Sequence, residues 1–65
     1  MEEYSLVGVD GNAFAIMGYV KNAMGEQGFS KEERDKYLQE AMSSDYNNLL
    51  VVSMRYIDQC NERVN

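Results

Sequence analysis

The side chains able to do chemistry are few. The chain has no histidine, and Cys60 is its only cysteine. General acid–base work would therefore fall to carboxylates, and Cys60 has no base beside it in sequence. Its helical spacing from Ile57 and Val64 reads as a small buried hydrophobe rather than a nucleophile. A lone thiolate is too few ligands for a structural zinc site, and a single cysteine forms no internal disulfide. Glu32, Glu33, Asp35 and Glu40 belong to a charged, solvated face. Asp10 and Asp45 flank helix starts, where a carboxylate caps or turns the chain. No spacing signature makes them a metal site. The expectation is a protein that is not an enzyme, with no cofactor and no metal.

Binding has the better case. In Asp10-Gly11-Asn12-Ala13-Phe14 an extended segment is expected to become the first helix. A free helix N-terminus presents unsatisfied amides and partial positive charge, which suit a phosphate. Gly11 would let a ligand approach the backbone closely, and Asn12 offers both a donor and an acceptor. Phe14 and Tyr46, each just inside a helix start, are placed to stack on a base. Ser44 belongs to the second such start, Ser43-Ser44-Asp45-Tyr46. Arg55, Lys21 and Arg63 are the only cations on the first and third helices. The candidate ligand-binding set is thus Gly11, Asn12, Phe14, Ser44, Tyr46 and Arg55. The structural reading of the same residues is simpler: Asn12 caps, Gly11 turns and Phe14 packs in a core.

The elements that must position them form one small helical domain over residues 1–65: an extended arm or strand at 4–9, then helices at about 13–27, 31–42 and 46–63. In 4–9, Tyr4 and Leu6 with Val7 or Val9 suit a short strand, which Gly8 weakens. No second β-rich run exists to pair with it, so its backbone must be met by water, a helix surface or another copy. In the first helix Ala13, Ile16, Met17, Val20 and Met24 share a face, with Ala23 beside it. Gly18 on another face suggests a close backbone approach, and Gly25 or Gly28 is expected to end the helix in a left-handed conformation. Ser30-Lys31-Glu32-Glu33 is a capping box. The helix after it carries a narrow stripe of Tyr37, Leu38, Ala41 and Met42 on a charged rod, with Glu32 and Lys36 spaced as an ion pair. This is the expected solvent-facing element. The last helix is apolar over more than one stripe, through Leu49, Leu50, Val51, Val52, Met54, Tyr56, Ile57 and Cys60. A helix of that kind is buried on several sides, which makes it the expected subunit interface.

Size and charge bound the rest. At 65 residues the chain lies near the lower limit for a single core. Disulfides and zinc being absent as staples, self-association remains, and 45% apolar residues favour it. Eleven acids against six bases give a net charge of −5. That argues against a duplex nucleic-acid binder, which needs a basic face to displace counterions, and against an electrostatic hold on anionic membranes. No apolar run approaches the ~20 residues of a membrane span. A lone free cysteine without a secretion signal suits a reducing cytoplasm.

Three stretches together carry a resemblance across nearly the whole chain. They are Val7-Gly8-Val9-Asp10-Gly11-Asn12-Ala13-Phe14, then Ile16-Met17-Gly18, then Glu40-Ala41-Met42-Ser43-Ser44-Asp45-Tyr46 with Leu49-Leu50. In these the chain resembles a family of small phage and prophage proteins, most of which carry no assigned activity. That family in turn is similar to small oligomeric phage proteins that sequester cyclic oligonucleotide immune signals, the anti-CBASS sponges. The resemblance implies a non-catalytic homo-oligomer, a tetramer for preference, in the cytoplasm of an infected bacterium. It also implies that cyclic di- or oligonucleotides bind at pockets between subunits. An oligomeric module that inhibits or bridges a host or virion protein is the alternative from a different class.

Overall fold

The computed structural model describes residues 3–64. It is mainly helical, with three helices: α1 (Ala13–Glu26), α2 (Lys31–Ala41) and α3 (Tyr46–Val64). All three pairs pack on one another. The core is the shared interior of Ile16, Met17, Val20, Ala23 and Met24 from α1, Tyr37 and Ala41 from α2, and Leu49, Val52, Tyr56, Ile57 and Cys60 from α3, closed by Phe29. On α1 these positions recur every three or four residues, so the apolar spacing itself selects the buried face.

The helix ends are set by local chemistry. Asn12 caps α1, its side chain accepting from Phe14 N at 2.8 Å. The α1 C-terminus closes through two reversed bonds, Phe29 N to Met24 O at 2.9 Å and Gly28 N to Gly25 O at 3.2 Å. Gly28 takes the positive φ of 83° that this closure demands of the residue after the cap. The expected capping box forms in full: Glu33 N donates to Ser30 Oγ, and Ser30 N donates to Glu33 Oε1, both at 3.1 Å. Of the three residues able to cap α3, Asp45 does so, accepting from Asn48 N at 2.9 Å.

Three expectations are corrected. No strand forms among the described residues. Residues 6–9 make a turn instead, with Val9 N donating to Leu6 O at 3.1 Å and Gly8 at φ 86°. The backbone ahead of it is met by side chains of the same chain. Tyr4 N donates to Asn61 Oδ1 and Ser5 N to Tyr19 Oη, at 2.7 and 2.9 Å. Second, α2 is more than a solvent-facing cover, because Tyr37 is fully buried at the centre of the bundle. Third, the Glu32–Lys36 pair does not close. Among the described residues the ion pairs are Arg55–Glu40 at 3.3 Å and Arg63–Glu33 at 4.0 Å. On α3, Leu49, Val52, Tyr56, Ile57 and Cys60 are buried, whereas Val51 and Met54 are more than half exposed.

Candidate functional site

Helices α1 and α3 begin at the same end of the bundle, and Tyr46 ties them together. Its hydroxyl donates to the Gly11 carbonyl oxygen, so the first residue of α3 grips the turn that precedes α1. That turn is itself ordered by Asp10, whose carboxylate accepts from Asn12 N at 2.9 Å. A Cβ added at Gly11 would lie 3.6 Å from the Tyr46 hydroxyl, ordinary contact. Gly11 is thus placed against its own chain as well as against solvent.

Phe14 does not pack in the core: it is 79% exposed. The ring stands out from the first turn of α1 beside Met42, at the end of α2, and Tyr46, both about half exposed. A shallow cleft of about 310 Å³ opens between them, walled by Phe14, Met17, Met42, Ser44, Tyr46 and Leu49 among others. A second cleft of about 280 Å³ shares Phe14, Met17 and Met42 and continues along α1 past Gly18 to Lys21. The two form a trough with Phe14 on its crest.

Of the six residues chosen from sequence, Gly11, Phe14, Ser44 and Tyr46 come together at this end, with Asn12 adjacent in the chain. Asn12 Oδ1 is engaged in its cap. Arg55 is not brought to the junction. It lies more than two turns along α3 and pairs with Glu40 at 3.3 Å, the same carboxylate that accepts from Tyr56 at 3.0 Å. Arg63 is also engaged, 3.6 Å from the centroid of the Phe29 ring and donating to Gln27 O at 3.0 Å. Lys21 is the cation that lines the trough, and it makes no ion pair among the described residues. Lys21 was visible in sequence as an α1 cation. Its neighbours Leu38 and Met42 were not, because they reach the trough only through α2 packing.

The charge around the junction is mixed. Asp45 caps α3 and offsets its positive end, and at the start of α1 the Asp10 carboxylate accepts from the amide of the neutral cap Asn12. Cys60 is fully buried, and burial pushes its thiol pKa up, so thiolate chemistry is disfavoured there. Among the described residues no three of His, Cys, Asp and Glu gather as a metal site, and no helix is long and apolar enough to cross a membrane.

A separate groove of about 450 Å³ lies further along α3, between residues 4–7 and Leu50, Met54, Ile57, Asp58 and Asn61. Val7, 91% exposed, projects at its edge. Compared with protein-family models, curated proteins and solved structures, the chain has no match.

Proposed function

We propose that the protein is a non-catalytic phage counter-defence protein that binds and sequesters cyclic di- or oligonucleotide immune signals in the cytoplasm of an infected bacterium. The observation that carries the reading is the exposed Phe14 ring at the start of α1, flanked by Tyr46 and followed by Lys21. An aromatic face for a base and amides with a cation for a phosphate are the two elements such a ligand needs. The nucleotide class itself comes from the resemblance in the Asp-Gly-Asn-Ala-Phe and Ser-Ser-Asp-Tyr stretches. In this reading the protein is a homo-oligomer, with the tetramer taken from the resemblance. Val7, Val51 and Met54, all more than half exposed, are surfaces available to subunit contact.

The test is isothermal titration of the purified protein against a panel of cyclic di- and trinucleotides. Sub-micromolar binding is expected for at least one, and silence across the panel overturns the reading.

One observation favours a second reading, an oligomeric module that inhibits or bridges a host or virion protein. The groove beside Leu50 and Met54 is apolar and larger than either cleft at the Phe14 end. A stoichiometric host or virion protein retained by the tagged chain, together with a silent nucleotide panel, would select this reading.

A further inference from the structure

Gly18 lies in the middle of α1, where glycine weakens a helix relative to alanine. Nothing inside the chain calls for it: a Cβ built at Gly18 meets no heavy atom within 4 Å. The backbone at Gly18 is therefore left open to a ligand approaching from outside the described residues. The space in front of it is the cleft of about 280 Å³ walled by Phe14, Met17, Gly18, Lys21, Leu38 and Met42.

Phe14, Gly18 and Lys21 stand at i, i+4 and i+7, so they share one face of α1. Helical side chains lean toward the N-terminus, over the turn before their own Cα. Lys21 therefore leans over Gly18 toward the Phe14 ring. The arrangement is an exposed aromatic face, a bare backbone floor and an exposed ammonium with no ion pair among the described residues, in that order along the helix. Leu38 and Met42 of α2 supply the apolar side wall.

We infer that this cleft seats the nucleotide, its base against Phe14 and the Gly18 backbone and its phosphate at Lys21. The occupant is an anionic, planar ligand because the cleft pairs a cation with an aromatic face and contains no carboxylate in its walls. Gly18 and Lys21 are then ligand contacts in addition to the residues at the α1–α3 junction. The ligand runs along α1 toward α2 and away from Arg55. This assignment rests on the nucleotide-binding reading above and fixes where on the chain that binding occurs.

The experiment titrates cyclic di-AMP, cyclic GMP–AMP and, as a linear control, 5′-AMP against the wild-type chain and the variants Gly18→Ala, Gly18→Leu, Lys21→Gln and Lys31→Gln. For whichever probe the wild type binds, Gly18→Leu and Lys21→Gln should each lose at least tenfold in affinity. Lys31→Gln removes the same charge at the start of α2 and should stay within twofold. Gly18→Ala should melt no lower than wild type, since a Cβ there meets nothing within 4 Å among the described residues, and Gly18→Leu is compared only where its circular dichroism and melting match wild type. Wild-type affinity in both Gly18→Leu and Lys21→Gln overturns this assignment while the nucleotide reading stands. A wild type that binds none of these probes and no member of the cyclic di- and trinucleotide panel overturns both together.

Discussion

The Tyr46 hydroxyl donates to the Gly11 carbonyl and thereby joins the start of α3 to the turn that opens α1. The contact links residues 35 apart in sequence, and it is what makes one site out of two helix starts. Tyr46→Phe removes that donor and little else. A loss of about 1 kcal/mol is expected in urea unfolding, the usual net worth of one such bond. An unchanged midpoint would mean that water replaces the hydroxyl without cost.

Tyr37 and Ser53 meet 2.6 Å apart, hydroxyl to hydroxyl, and both side chains are fully buried. Ser53→Ala leaves the Tyr37 hydroxyl without this partner in the core and should cost about 1–3 kcal/mol. Tyr37→Phe combined with Ser53→Ala should cost less than the two single changes summed, because no orphaned group then remains. Additive losses in denaturant melts would show that the pair is not coupled.

Alkaline pH should destabilise the bundle. Burial raises the pKa of Tyr37 and of Tyr56, helped for Tyr56 by its bond to Glu40, and burial raises Cys60 as well. Groups raised in the folded state contribute stability that is whole below their unfolded values, about 8.5 for the thiol and about 10 for the phenols. That stability is lost as pH rises through the higher folded values. Thermal midpoints should therefore fall above about pH 9, and Cys60→Ala should remove the earliest part of the decline. A flat profile to pH 11 would contradict this.

At the acid end the sign reverses. The Ser30 backbone amide bound to the Glu33 carboxylate holds the Glu33 pKa below the usual value. A depressed carboxylate contributes stability that is present above its unfolded pKa and lost as pH falls through the folded one. Glu33→Gln should flatten part of the acid limb of the thermal midpoint below about pH 4.5. The same acid limb in wild type and variant would place the sensitivity in other carboxylates.

Asn12→Ala removes the α1 cap and should lower stability by about 1 kcal/mol. In a variant shown by circular dichroism and light scattering to be folded and assembled as wild type, nucleotide affinity should fall further than that loss accounts for. Unchanged affinity would leave Asn12 with its capping role alone.

Much of the architecture is legible in the chain because helix signals are local. The Ser30 capping box, the Asn12 cap, the Gly28 stop and the three-four apolar spacing of α1 each depend on residues within one or two turns of each other. Arg55 shows where that reasoning ends. Its charge was legible, but its partner Glu40 sits on another helix, fifteen residues earlier, and only packing puts the two at 3.3 Å.

The sequence by itself determined a small, acidic, three-helix chain poor in catalytic groups, and it marked the two helix starts whose residues meet. Tertiary structure alone decided which side chains those starts expose. Phe14 and Met17 lie three apart on α1, both apolar, yet one is 79% exposed and the other 7%. Periodicity places residues on faces, but it does not say where the neighbouring helix ends. Met17 joins the core with Ile16, Val20 and Met24, whereas Phe14 lies with Gly18 and Lys21 beside a trough that Leu38 and Met42 wall without covering.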